Sequence, residues 1–173
     1  MKFTRLLTVL AATFLFTKSN AEPLKVGDAA PAVTGITETG AKLNFAEVYP
    51  KGYTLVYFYP KADTSGCTKQ GCSLRDSYGD LTKQGVTVIG VSHDSPAAQK
   101  AFKEKNSFPF TLIADQDEAV SKAFGVPDYP ATSMAQRQAY LIDKDGKIVW
   151  CDYKAKTDKQ AEDVLAALKK LGG

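Results

Sequence analysis

Blocks of apolar residues alternate with polar blocks along the chain, and the apolar blocks have the length of β-strands. Residues 54–59 and 86–91 are continuous runs of β-branched and aromatic residues, typical of strands buried on both faces. Shorter runs predict strands at residues 110–114, 139–142 and 147–153. The last two are separated only by an Asp-Lys-Asp-Gly turn and are expected to form an antiparallel hairpin.

The polar blocks predict helices between the strands. One covers residues 64–84, with Thr64 or Ser65 as its N-cap, and others cover residues 96–106, 118–124 and 158–171. Alternating strands and helices followed by a hairpin and a last helix indicate an α/β fold with a mixed central sheet and helices on both faces. In such sheets functional residues commonly lie in the connection between the C-terminal end of a strand and the next helix, which here covers about residues 59–68.

The first 21 residues differ from the rest of the chain. Lys2 and Arg5 precede a mostly apolar run of residues 6–16, and small residues flank Asn20. This order is typical of a cleavable signal peptide, and the run is shorter than the about 20 residues of a membrane-spanning helix. We therefore expect cleavage after Ala21, a single mature domain over residues 22–173, export to a compartment such as the periplasm, and no stable membrane anchor.

Composition places the chain among ordinary folded proteins. Apolar residues make up 44% and charged residues 24% of the 173 residues. Without the three basic residues of the first 21, the chain carries 19 basic and 19 acidic residues. Nucleic acid and anionic lipid therefore have no electrostatic support as main partners.

Three cysteines, Cys67, Cys72 and Cys151, lie in the expected mature domain. A domain of this size folds on its apolar core, so an odd cysteine count indicates chemistry rather than a disulfide framework. Cys67 is predicted in the first turn of a helix, where unpaired N–H groups and the helix dipole favour a reactive thiolate. Cys151 is interpreted as a packing residue.

Cys67 and Cys72 are predicted to lie on one helix, five residues apart. In an intact helix their Cα atoms would be about 8.6 Å apart, which exceeds the roughly 7 Å limit for a disulfide. A disulfide between them would require the helix to unwind. Gly71 is expected to make that opening easier, because glycine costs a helix about 1 kcal/mol relative to alanine.

The loop before Cys67 carries the pattern Pro60-x-x-x-Thr64-x-x-Cys67. The proline fixes the entry of the loop and shields the thiolate, the threonine hydroxyl is placed to bond a substrate oxygen, and backbone N–H groups complete an oxyanion-type cradle. This set of residues favours a reactive cysteine over two inert packing residues.

These residues carry a resemblance to a known family. The run from Tyr57 to Ser77, YFYPKADTSGCTKQGCSLRDS, is similar to the signature of the peroxiredoxins, and most closely of their bacterioferritin comigratory protein or peroxiredoxin Q subgroup, an atypical two-cysteine group. Residues 90–95 and 139–146 match in order and spacing, and the resemblance covers residues 24–171. Ser65 and Gly71 depart from the subgroup, which usually has proline and alanine there.

The resemblance implies a thioredoxin-like fold and a monomeric, thiol-dependent peroxidase without a bound cofactor. Cys67 would attack hydrogen peroxide or an organic hydroperoxide, Cys72 would resolve the product as a disulfide, and a thioredoxin-like or other dithiol reductant would regenerate both. Pro60 and Thr64 match the family's active loop. Arg137 matches the arginine that faces the reactive sulfur.

Two other hypotheses remain open from the residues alone. An exported thiol:disulfide oxidoreductase would share the fold, but such enzymes use C-x-x-C rather than the C-x-x-x-x-C spacing seen here. A binding domain with inert cysteines leaves the loop pattern unexplained. His93, the single histidine, is interpreted as solvated. The spacing of the three cysteines fits no known metal site. The aromatic residues Tyr53, Tyr57, Phe58 and Tyr59 are assigned to the core.

Overall fold

A computed structural model describes residues 22–172; the predicted signal peptide, residues 1–21, lies outside this range. The strands are β1 (Thr34–Ile36), β2 (Lys42–Asn44), β3 (Tyr53–Phe58), β4 (Val86–Ser92), β5 (Thr111–Ala114), β6 (Gln138–Ile142) and β7 (Ile148–Asp152). The α-helices are α1 (Ser65–Asp76), α2 (Tyr78–Lys83), α3 (Pro96–Asn106), α4 (Ala119–Ala123) and α5 (Gln160–Leu171). Two short 3₁₀ turns, Phe45–Glu47 and Tyr49–Lys51, precede β3.

The central sheet has five strands in the order β5-β4-β3-β6-β7. Strands β3, β4 and β5 are parallel, β6 is antiparallel to β3, and β7 is antiparallel to β6. The predicted mixed sheet and its final hairpin are therefore confirmed. Because β6 runs antiparallel to β3, the first residue of β6 lies beside the last residue of β3, at the same end of these two strands.

The sheet separates two apolar clusters. Alternate residues of β3 face opposite sides, so Leu55, Tyr57 and Tyr59 pack into one cluster while Val56 and Phe58 pack into the other. Buried side chains of α1, α2, α3 and α5 complete the first cluster, and α4 with the 3₁₀ turns completes the second. The prediction that Tyr57, Phe58 and Tyr59 belong to the core is confirmed, whereas Tyr53 is half-buried.

The predicted helix over residues 64–84 is wrong as a single helix. The chain leaves helical geometry at Ser77, with φ −102° and ψ 9°, and restarts as α2. Ser77 and Gly79 are both poor helix formers, and two such residues within three positions weaken the helix there. The break leaves both Cys67 and Cys72 inside α1.

The small antiparallel sheet of β1 and β2 was not predicted from the sequence. Each strand has only three residues, too few for an alternating pattern to stand out. The segment that follows β1 bridges to β5 through Thr37 and Ile113 and so covers the β5 edge of the central sheet.

No helix within residues 22–172 combines the length and apolar character needed to cross a membrane.

Candidate active site

Cys67 lies in the first turn of α1, and its side chain is buried in the first apolar cluster with only 2% of the residue exposed. The Nη2 group of Arg137 donates a hydrogen bond to Cys67 Sγ at 3.4 Å. The two predicted site residues that are 70 positions apart in the chain are therefore brought into direct contact. A fixed guanidinium beside a sulfur favours negative charge on that sulfur.

The sheet register explains how Arg137 reaches this position. Gln138, the first residue of β6, pairs with Phe58, the last residue of β3. Arg137, which immediately precedes β6, therefore lies near the end of β3, where the loop to α1 begins. The sequence placed Arg137 next to a strand, but only the pairing of β6 with β3 places it beside Cys67.

Gln70 is a site residue that the sequence analysis missed. It is fully buried on α1, and its Oε1 accepts a hydrogen bond from Arg137 Nη1. The two terminal nitrogens of the Arg137 guanidinium thus bond different partners: Nη2 bonds Cys67 and Nη1 bonds Gln70. The position of Gln70, three residues after Cys67 on the same helix face, was the available signal.

The loop between β3 and α1 is fixed by a polar network below it. Asp94 accepts hydrogen bonds from the Ala62 backbone N–H at 2.7 Å and from the Ser92 hydroxyl at 2.7 Å. Ser92 in turn accepts from Gln99 at 2.8 Å, and the Tyr59 hydroxyl donates to Gln99. The neighbouring Ser95 caps α3, whereas Asp94 holds the loop.

Thr64 and Pro60 lie in this loop without a hydrogen bond to Cys67. Thr64 is the N-cap residue of α1, but its hydroxyl donates to the Lys61 carbonyl at 3.1 Å and accepts no hydrogen bond from the N–H groups of the helix. Pro60 is half-buried and borders a cavity of about 670 Å³. Among the five predicted site residues, Pro60 alone lines that cavity.

Cys72 is half-buried in the same apolar cluster, and no disulfide joins it to Cys67 in this structure. Because α1 is continuous from Ser65 to Asp76, residues 67 and 72 are separated by about 140° around the axis of an intact helix and their Cα atoms by about 8.6 Å. A disulfide between them therefore requires part of α1 to unwind, as the sequence analysis expected.

The interpretation of Gly71 was incomplete. A β-carbon at this position would lie 2.3 Å from Cζ of Phe108, so the glycine is needed where α1 packs against that ring. Gly71 therefore holds α1 in place through close packing as well as lowering its helical propensity.

The comparisons with known proteins agree with this geometry. The model of the AhpC/TSA family matches residues 26–151. Peroxiredoxin Bcp of Escherichia coli is 41% identical over 154 residues, covering 85% of this chain and 97% of that protein. The chain belongs to the AhpC/TSA family, as a peroxiredoxin.

More distant comparisons confirm the subgroup and the fold. A chloroplastic peroxiredoxin Q of Populus jackii is 36% identical, with 84% of this chain and 68% of that protein covered. The crystal structure of peroxidoxin BcpB from Mycobacterium tuberculosis superposes with a TM-score of 0.80 at 27% identity, covering 86% of this chain and 98% of that one. The resemblance to the Bcp and peroxiredoxin Q subgroup and the thioredoxin-like fold are confirmed.

The third cysteine of this peroxiredoxin lies apart from the site. Cys151 is on β7, half-buried against the second apolar cluster, on the face of the sheet opposite to Cys67. A hydrogen bond involving Cys151, together with burial, raises the pKa of Tyr153 to about 12. The interpretation of Cys151 as a packing residue agrees with this position.

The interpretation of His93 as solvated was wrong, because its side chain is only 10% exposed. Its ring nitrogens contact the Ser133 carbonyl at 2.8 Å and the Ser121 hydroxyl at 2.9 Å. His93, Glu118 and Asp128 also offer ligand atoms within 4.8 Å of one another. Both ring nitrogens of His93 therefore have hydrogen-bond contacts, and Oε2 of Glu118 forms a 2.8 Å ion pair with Lys122.

Proposed function

We propose that this protein is a thiol-dependent peroxidase in which Cys67 is the nucleophile. The observation that carries the proposal is the 3.4 Å contact of Arg137 Nη2 with Cys67 Sγ in the first turn of a helix. The Cys67 thiolate attacks one oxygen of a hydroperoxide, and the O–O bond breaks. The leaving oxygen takes a proton and departs as water or an alcohol, while Cys67 becomes a sulfenic acid.

Arg137 assists the first step. Its guanidinium stabilises the thiolate before attack and the charge that develops on the peroxide oxygens during attack. Gln70 limits the rotation of the guanidinium because it accepts from the other arm. The low exposure of Cys67 favours hydrogen peroxide and small organic hydroperoxides over bulky ones.

Cys72 resolves the oxidised form. Its thiolate attacks the Cys67 sulfur, the S–S bond forms, and the sulfenic oxygen leaves as water. This step needs the first turns of α1 to unwind, because the two cysteines are five residues apart on one helix.

A dithiol reductant completes the cycle. One of its thiolates attacks the Cys67–Cys72 disulfide, its second thiol releases the mixed disulfide, and both cysteines return as thiols. A thioredoxin-like protein fits this chemistry. Every group that reacts belongs to the chain, the hydroperoxide or the reductant, so the cycle uses no bound cofactor.

The decisive experiment uses three variants of the mature chain, in each of which one cysteine is replaced by serine. Peroxide consumption by each variant is measured in the presence of a dithiol reductant. We expect Cys67→Ser to abolish peroxide consumption, and Cys72→Ser to allow oxidation of Cys67 but no intramolecular disulfide. Cys151→Ser, on the other face of the sheet, is the matched control and should behave like the parent. Peroxide consumption by Cys67→Ser near the parent rate would contradict the proposal.

The same experiment separates the proposal from a thiol:disulfide oxidoreductase. A chain that reduces insulin disulfides but consumes no peroxide would support that alternative.

We also propose that the protein is exported after cleavage at Ala21 and acts as a monomer. The basic start, short apolar run and small residues around Asn20 support export. Intact-mass measurement of the protein from a periplasmic extract, with light scattering of the same sample, tests both statements. A mass that retains residues 1–21, or a stable dimer, would contradict them.

A further inference from the structure

Gln160 is a polar side chain buried at the start of α5, and no chemistry of the proposed cycle uses it. The residue has 0% exposure. Its Oε1 accepts a hydrogen bond from Gln70 Nε2 at 2.7 Å, whereas its Nε2 has no partner within residues 22–172. A buried amide with an unpaired N–H₂ group is unfavourable for folding, so the retained contact calls for a physical role.

The contact fixes the orientation of Gln70. Arg137 has only donor groups, so Gln70 must turn its Oε1 toward the guanidinium and its Nε2 the other way. Gln160 receives that Nε2 with its own Oε1. A continuous line of hydrogen bonds therefore runs from Gln160 through Gln70 and Arg137 to Cys67 Sγ.

A second contact joins the same two helices. Lys159, the N-cap residue of α5, makes no side-chain cap, and the Ala161 backbone N–H donates instead to Ser73 Oγ at 3.3 Å. Helix α1 thus supplies a cap for α5. Gln70 precedes Cys72 by two residues and Ser73 follows it directly, so both contacts with α5 come from the middle of α1, at or near the segment that the proposed disulfide would unwind.

We propose that Gln160 is a positioning residue that holds Arg137 against Cys67 and holds α1 in its helical form. The proposal rests on the proposed peroxidase function and deepens it. Gln160 favours the oxidation step, because it orients the arginine through Gln70. Gln160 opposes the disulfide step, because unwinding between Cys67 and Cys72 carries Gln70 away from it.

The test uses Gln160→Met, which keeps the length of the side chain and removes its hydrogen bond. We expect oxidation of Cys67 by hydrogen peroxide to slow by about tenfold and the Cys67–Cys72 disulfide to form severalfold faster once the sulfenic acid is present. Over-oxidation at high peroxide should fall accordingly. Stopped-flow mixing with mass spectrometry of quenched samples measures the two rates separately.

Two comparisons establish that Gln160 acts through Gln70. In the Gln70→Met background, Gln160→Met should cause no further slowing of oxidation, because the line is already broken. Gln84→Met, at an exposed position after α2, is the matched control and should leave both rates unchanged. Additive effects of the two substitutions, or two rates that fall together, would overturn the proposal.

A measurement without peroxide separates this proposal from the peroxidase proposal. In the reduced chain, Gln160→Met should raise amide exchange across α1, and Ser73→Ala should do the same while leaving oxidation of Cys67 unchanged. Unchanged exchange in both variants would overturn the role of Gln160 even in an active peroxidase. Raised exchange in a chain that consumes no peroxide would instead overturn the function alone. If Gln160→Met does not fold, Gln70→Met, which breaks the same hydrogen bond from its other side, takes its place in the exchange test.

Discussion

At the scale of single residues, the site depends on the fork of the Arg137 guanidinium. One arm bonds Cys67 Sγ and the other bonds Gln70, a geometry that a lysine ammonium does not reproduce. We expect Arg137→Ala to slow oxidation of Cys67 by about 100-fold, and Arg137→Lys to slow it by about tenfold although the charge is kept. Competition kinetics with hydrogen peroxide measures both rates, and an Arg137→Lys rate equal to that of the parent would show that charge alone suffices.

Tyr57 offers a residue-scale prediction about stability. Its hydroxyl is buried and has no hydrogen-bond partner within residues 22–172, and burial raises its pKa well above the ordinary value. Tyr57→Phe removes this unpaired polar group while keeping the ring that packs edge-on against Phe110. The free energy of unfolding should rise by about 1 kcal/mol. Urea unfolding at pH 7 measures the change, and a loss of stability would indicate a hidden partner for the hydroxyl.

At the scale of secondary-structure elements, the packing of α1 is set at Gly71. The ring of Phe108 occupies the place where a β-carbon would stand, so helical propensity and packing oppose each other at this position.

Gly71→Ala should therefore lower the free energy of unfolding by about 1–3 kcal/mol and speed the unwinding of α1, because the added methyl group is forced against Phe108. Urea unfolding and amide exchange over residues 65–76 measure the two effects. Gly79→Ala is the matched control, since nothing lies within 4 Å of a β-carbon there; it should stabilise the protein by up to about 1 kcal/mol. A Gly71→Ala variant as stable as the parent would show that the ring moves aside easily.

The elements differ in how far their own sequence determines them. Strands β3 and β4 are continuous apolar runs, and α3 begins with Ser95 and Pro96, so local patterns were sufficient for them. Strands β1 and β2 have only three residues each, and the bridge that joins Thr37, after β1, to β5 is a contact that no local pattern shows.

The same distinction holds for the site. Cys67, Thr64 and Pro60 share one local motif and were found together. Arg137 was placed by resemblance, and its contact with Cys67 follows from the pairing of β6 with β3. Gln160 lies 90 residues from Gln70, so only the packing of α5 on α1 reveals it.

At the scale of the whole molecule, tyrosines are built into both apolar clusters. Tyr57 and Tyr59 lie on one side of the sheet, and Tyr49 and Tyr140 lie on the other. Burial raises the pKa of all four in the folded chain. The folded protein therefore keeps these phenols protonated at a pH where the unfolded chain loses its protons.

The sign of this effect predicts loss of stability in alkali. The contribution is fully present below about pH 10, the pKa of an unfolded tyrosine, and is lost as the pH rises above it. Each such tyrosine should lower the free energy of unfolding by up to about 1.4 kcal/mol per pH unit there. Urea unfolding at pH 9, 10 and 11 measures the slope, and Tyr140→Phe should reduce it. An identical slope in that variant would contradict the prediction.

The anchoring of Ala62 by Asp94 has a kinetic consequence for the proposed cycle. Asp94 follows β4, so it ties the loop before α1 to the sheet and not to the helix that unwinds. When the disulfide is reduced, α1 refolds next to the loop that Asp94 has kept in place. Helices form within about a microsecond. Thiol exchange with the reductant, and not refolding of the helix, should therefore set how fast the enzyme becomes ready for the next peroxide.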